Sequence, residues 1–197
     1  MAADTRERLV RVARDLIHES SFAQVSVEDI CKEAGVHRGS LYHFFPSKER
    51  LGLAVLDANW AMMSALLDEA FSAEVPPLER IDRFVRGFGG MIVLMREKMG
   101  STPDCPVGAL SAELSARGDE MRAHATRILD AWAARFTDAV REAQARGEVG
   151  PHVDPEQTGL HIVAHLQGTA LIAKAYDRPE LVEQAQAGVR ALLHPSH

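Results

Sequence analysis

Residues 26–48, SVEDICKEAGVHRGSLYHFFPSK, constrain the fold most, because they carry a punctuation mark every few residues and leave room only for short helices. Ser26 followed three residues later by Asp29 has capping-box form, so a helix starts there. Val27, Ile30, Cys31 and Ala34 fall on one face of that helix, and Gly35 supplies a left-handed stop. A second short helix is predicted from near His37 through Phe45, where Pro46 and Ser47 punctuate the chain again. Two short helices around a glycine turn form a helix-turn-helix.

The second helix of the pair carries Arg38, Ser40, Tyr42 and His43 beside a single aliphatic residue, Leu41, which is the make-up of a surface-reading helix. In a DNA-binding hairpin the start of this helix meets base edges in the major groove and its amide dipole faces phosphate. Arg38 can fork to guanine O6 and N7, and Gly39 lets the backbone approach the duplex. Lys48, one residue past Ser47 as cap of the next helix, is placed to hold a phosphate. The bland alternative is a helical protein-binding scaffold whose residues 37–43 form a solvated face.

The run from Ser26 to Leu51 resembles the N-terminal DNA-binding domain of the TetR family of transcriptional regulators. The resemblance implies an all-α homodimer: a three-helix DNA-binding domain over residues 1–50, a linker helix over 51–75, and a ligand-binding and dimerisation domain over 76–197. Carried over position by position, Arg38, Gly39, Ser40 and His43 match base-reading residues, and Tyr42 and Lys48 match phosphate contacts. Ser26 and His37, at the two helix starts, complete the DNA-facing set. Two positions depart from the family pattern: His37 stands where Ser or Thr usually caps the reading helix, and Phe44 where Tyr or His often touches phosphate.

A net charge of −6 looks adverse to DNA binding, yet the first 50 residues hold eight basic and eight acidic side chains, so all the excess acid lies beyond the motif. Charges farther away than about 8 Å are largely screened at physiological salt, and local cations decide the attraction. No apolar run approaches the roughly 18 residues expected of a membrane helix, and the start, MAADTRER, lacks a signal-peptide core, so a cytoplasmic protein with no membrane partner is expected. Cys31 and Cys105 lie far apart, which argues against a disulfide framework.

Elsewhere the periodicity is helical throughout. Asp4 is placed to cap a first helix with Leu9, Ala13, Leu16 and Ile17 inward, and arginines 6, 8, 11 and 14 on a face that is solvated or touches phosphate. Phe22 reads as core. A long helix from Ser47 to about Phe71 lines up Leu51, Val55, Met62, Leu66 and Ala70, and Pro77 opens the next. That helix, to about Met99, has Ile81, Phe84, Val85, Phe88, Met91, Ile92 and Met95 on one face, interrupted by GFGG, which marks close packing or a kink. Asp119 is placed to cap a helix with Met121, Ala125, Ile128, Trp132, Phe136, Ala139 and Ala143 as its stripe, and Asp154 and Pro155 open another that carries several small residues. A final helix runs to about Leu193, and the resemblance implies that the last two helices pair across a homodimer.

Phe84, Phe88, Met91, Met95, Trp132 and Phe136 are candidate lining for a small-molecule inducer, the other reading being plain core. Cys105, just ahead of a helix start, is either a buried filler or a reactive thiol with Asp104 opposing its ionisation. His161 and His165 have the spacing for a metal on one helix, but no third ligand is apparent, and polar packing or hydrogen bonding to the inducer are the alternatives. No nucleophile elbow, phosphate loop or purposeful carboxylate pair appears, so no enzyme, metal or cofactor is expected. The function expected is a ligand-responsive repressor on a palindromic operator in double-stranded DNA, with a redox or electrophile sensor acting through Cys105 as the rival.

Overall fold

The computed structural model describes residues 2–194, with only the backbone of residues 2 and 3, and among the described residues there is no strand. The helices are α1 (Ala2–Glu19), α2 (Val27–Ala34), α3 (Arg38–Phe44), α4 (Lys48–Ala70), α5 (Pro77–Met99), α6 (Pro106–Ser115), α7 (Asp119–Ala145), α8 (Pro155–Tyr176), α9 (Glu180–Glu183) and α10 (Ala185–Leu193). They gather into two compact units, one made of Met1–Ala61 with Pro106–Thr126, the other of Met62–Cys105 with Arg127–His197. The first unit is wider than the expected 1–50 domain: the start of α4, all of α6 and the start of α7 pack with the N-terminal helices.

In the first unit α1 packs on α2 and α3 through Leu9, Ala13 and Ile17. Asp4 lies inside the first turn of α1, two residues past its start, and so does not act as the cap the sequence suggested. The capping box on α2 forms as expected. The Ser26 hydroxyl accepts the Asp29 amide at 3.1 Å, and the Asp29 carboxylate accepts the Ser26 amide at 3.0 Å. The Ser26 hydroxyl also donates to that carboxylate at 2.6 Å, and this bond first, then the one from the Ser26 amide, holds the Asp29 carboxyl below the usual range. Gly35 closes α2 at φ +62°, with its own amide and that of Val36 returning to the last turn. Ser47 caps α4, its hydroxyl accepting the Arg50 amide at 3.3 Å.

The loop before α2 is anchored at Phe22, a residue 1 % exposed. Its amide and that of Ala23 both donate to the Glu113 carboxylate on α6, at 3.0 and 2.9 Å. Its carbonyl accepts from Lys48 Nζ at 2.5 Å, and that ammonium lies 4.5 Å from the ring centroid. A Cβ at Gly52 would sit 2.6 Å from the ring, so only glycine lets α4 close on it.

The buried side of α4 runs through Leu51, Val55, Asn59, Met63 and Leu67, a strict i+4 row. The expected row had Met62 and Leu66 instead. Met62 is 39 % exposed, because the polar Asn59 occupies a core position and donates to the Pro106 carbonyl at 2.9 Å. By length and composition alone α4 is apolar enough to cross a membrane, contrary to expectation, although Leu51, Val55, Met63 and Leu67 are packed in this row.

Every α7 stripe residue is buried, and in the second unit α5 meets α7 through Phe84 and Phe88 against Trp132 and Phe136. Pro77 sits in the first turn of α5, and Arg80, 12 % exposed, ties down the preceding loop through the Val75 and Ala73 carbonyls and the Glu142 carboxylate. The GFGG segment does not break α5; a Cβ at Gly87 would meet Leu66 at 2.8 Å, so close packing is the operative reading there. A Cβ at Gly159 would lie 2.8 Å from the Ala133 carbonyl, the closeness with which α8 rides on α7. Asp119 begins α7 rather than capping it, and its carboxylate takes Arg122 at 2.7 Å. Asp154 does cap α8. The final helix is in two pieces, α9 and α10, joined at Gln184.

Glu113→Ala removes both acceptors from the Phe22 and Ala23 amides, and an unfolding free energy lower by about 1–3 kcal/mol is expected. Urea denaturation checks this, with Glu113→Gln, which keeps one acceptor oxygen, falling between the two.

Candidate nucleic-acid interface

The helix expected to read DNA, α3, is held by a single buried side chain, Leu41, at 0 % exposure, and everything else the sequence singled out on it faces outward. His37, Arg38, Gly39, Ser40, Tyr42 and His43 are all exposed. His37 is the N-cap in extended conformation and makes no side-chain cap bond, as its departure from Ser or Thr foretold. No atom lies within 4 Å of a Cβ built on Gly39, so the fold itself does not require glycine there. His43 packs edge-on against Phe44, centroids 5.1 Å apart, while Phe45 is buried under Arg6 of α1.

Two of the eight candidates are engaged elsewhere. Ser26 has its hydroxyl committed to Asp29, which leaves it a structural cap first. Lys48 turns its ammonium inward to Phe22, and burial, with Arg117 nearby, pulls it below the usual lysine range.

Sequence reasoning missed Glu28. It lies in the first turn of α2 with its carboxylate paired to Arg38 Nη1, while Arg38 Nη2 donates to the Tyr42 phenol oxygen at 3.3 Å. The Arg38 guanidinium also lies over the Tyr42 ring, 5.5 Å from its centroid. An i, i+4 contact between Arg38 and Tyr42 was legible from spacing, whereas the partner on α2 required the turn geometry. Around α1 and α4 a hollow of about 630 Å³ is lined by Arg6, Arg8, Arg11 and Arg14 together with Asp4, Glu7 and Asp57, a mixed rather than purely cationic wall.

Of the residues expected to line a ligand site, four come together. Phe84, Phe88, Trp132 and Phe136 are all at 0 % exposure, their rings meeting at centroid distances of 5.4 to 6.2 Å. They form a closed core cluster. Met91 and Met95 are half-buried on the same helix. Cys105 is buried and accepts a hydrogen bond from Gln167 Nε2 at 3.4 Å, while the neighbouring Asp104 is taken by Lys174 at 2.5 Å. His165 is half-buried and its Nε2 lies 3.1 Å from the Ala185 carbonyl, but His161 faces solvent. A smaller hollow of about 230 Å³, lined by Leu66, Glu69, Ala70, Arg83, Arg86 and Gly87, includes none of these residues. Among the described residues no group of three or more His, Cys, Asp or Glu is arranged to hold a metal.

Comparison with known proteins agrees with the architecture. Residues 9–55 match the model of the bacterial regulatory proteins of the tetR family, and residues 77–189 match the tetracyclin repressor-like C-terminal domain. The transcriptional regulator AcuR of Cereibacter sphaeroides is 33 % identical over 180 residues, covering 91 % of this chain and 80 % of that one. The repressor DhaR of Mycobacterium sp. is 28 % identical over 192 residues, covering 97 % and 93 %. Among solved structures, a regulatory protein TetR from Rhodobacter sphaeroides superposes with a TM-score of 0.80 at 32 % identity, covering 93 % of this chain and 95 % of that one. The reduced form of Escherichia coli NemR gives 0.79 at 25 % identity, covering 98 % and 100 %. The chain belongs to the TetR family: it is a DNA-binding transcriptional regulator, of a kind that binds operators and dimerises and does not act as an enzyme.

Proposed function

We propose that this regulator is a repressor that grips an inverted-repeat operator as a homodimer and lets go when a small molecule binds. The observation that carries the reading is the make-up of α3, a helix of seven residues with only Leu41 buried and Arg38, Ser40, Tyr42 and His43 outward. So short a helix reads few base pairs, and a two-fold pair doubles them. Residues 1–50 are the DNA-binding part, 51–75 the linker, and 76–197 the ligand-binding and dimerisation part. Pairing through α8 and the final helix is supported by Leu160, Ala164, Leu171 and Ala175, which project from one side of α8, Leu160 and Leu171 at 54 % and 62 % exposure. The inducer is assigned to the apolar interior around Phe88, Trp132 and Met91, and binding there releases DNA to the extent that it favours a conformation with the reading helices mis-spaced. A second reading, redox or electrophile sensing through Cys105, is favoured by the Gln167 donor on its sulfur and by the Lys174 partner that offsets Asp104.

Selection of bound sequences from a random DNA library, with titration of the winner at two salt concentrations, tests the main reading. An inverted repeat with a steep salt slope is the expected outcome; weak binding indifferent to sequence contradicts it. On that operator Arg38→Ala is expected to cost about 1–3 kcal/mol and to relax selectivity at one base pair per half-site. Gly39→Ala separates recognition from folding. With open space around it the fold accepts a methyl group, and helix propensity adds about 0.5–1 kcal/mol of stability, while operator affinity falls because the backbone is held off the duplex. Cys105→Ser is expected to abolish release by alkylating agents if the thiol is the sensor, and to leave release by a reversible ligand intact.

A further inference from the structure

Arg38 is already occupied in the free protein. Glu28 holds its Nη1 and the Tyr42 phenol its Nη2, with the Tyr42 ring beneath. All of this happens at the surface, with the side chains of Arg38 and Glu28 at 61 % and 63 % exposure. The helix does not call on Glu28 for capping, since Ser26 and Asp29 do that between themselves. The carboxylate therefore lies on the reading side of the helix pair, where its charge opposes that of any approaching phosphate.

We infer that Glu28 is a specificity-determining residue that positions Arg38 for a base edge and withholds it from the phosphate backbone. The inference rests on the assignment of Arg38 as a base-reading residue. A guanidinium has five N–H donors, and the bonds to Glu28 and Tyr42 use two of them. Three remain, and a bidentate contact to guanine needs two, so base reading and the Glu28 pair coexist. Capture by a phosphate is different. The guanidinium must swing away from Glu28, losing the pair, to meet an acceptor of the same charge, and Glu28 is left to repel the phosphate just approached. The pair is thus kept in the cognate complex and lost in a non-specific one, and its free energy enters the ratio of the two affinities directly. The Tyr42 ring and hydroxyl restrict the same side chain, so part of the rotamer entropy of Arg38 is spent before DNA arrives.

The experiment is titration of Glu28→Gln against the selected operator and a scrambled duplex over a salt series, in the wild-type and Arg38→Ala backgrounds, with thermal melts confirming the fold. The ratio of operator to scrambled affinity is expected to fall about two- to fivefold, in line with the free energy of an exposed ion pair. Most of that change comes as tighter scrambled binding whose salt slope steepens by about one. In the Arg38→Ala background the ratio is expected not to respond. Glu28→Asp, too short to hold the pair but still charged, behaves like Glu28→Gln if positioning matters. Equal tightening on both duplexes that persists without Arg38 is mere loss of a negative charge and overturns the inference, as does a wild-type ratio in Glu28→Asp. If Arg38→Ala alone leaves operator binding untouched, the base-reading assignment fails and takes this role with it. If Arg38→Ala weakens the operator and Glu28→Gln leaves the ratio alone, only the role of Glu28 fails.

Discussion

The closure of α4 and α6 on Phe22 is the contact that anchors the loop leading into α2. A single ring fills the space over Gly52 and Leu114, and its peptide group is held from both sides, the amide by Glu113 and the carbonyl by Lys48. The loop between α1 and α2 closes on itself through the Val25 amide to the Ser21 carbonyl and the Gln24 amide to the Ser21 hydroxyl, and side chains from α4 and α6 satisfy the polar groups of Phe22 and Ala23 that this turn leaves over. Glu113 on α6 thus ties the backbone that leads into α2 to a helix of the same compact unit. The chain enters α6 at the Cys105–Pro106 step, where the division between the two units also falls.

α3 is anchored from beneath while its outer face stays bare, and its intrinsic stability is low. Seven residues are well below the length at which a helix holds itself in water. Its order comes from Leu41 beneath, from Phe45 buried under Arg6, and from the Gly35 turn that fixes its direction against α2. The absent side-chain cap at His37 leaves the first turn less held than that of α2, which has a full box.

What could be read from the sequence was whatever is local or periodic. The Ser26 box, the Gly35 stop, the outward face of α3 and the α7 stripe each depend on residues within a few positions of one another, and each formed as expected. The row along α4 slipped by one residue because Asn59, polar by type, is a core residue by virtue of a carbonyl supplied 47 positions away. Glu113, about 90 residues from the amides it caps, and the inward turn of Lys48 follow from tertiary placement that no spacing rule encodes. Asp4 and Asp119 are cap-type residues that ended up inside their first turns, where a carboxylate is equally well placed against the helix dipole, so residue type alone could not choose between the two positions.

The closed aromatic cluster sets a condition on any release mechanism that works through it. Phe84, Phe88, Trp132 and Phe136 pack ring against ring with nothing between them, so a ligand there must displace a ring before it gains a contact. That cost contributes to coupling only where it differs between the two conformations. A molecule that entered a hollow present equally in the DNA-bound and released conformations would bind without moving the equilibrium, however tightly it bound. A molecule that requires the cluster to open couples to DNA only where opening costs less in the released conformation than in the DNA-bound one, and that difference is the most that it can take from operator binding. Tight packing of this interior is therefore compatible with a sensing role, and it restricts the effective ligands to those whose apolar contacts outweigh the ring contacts they break.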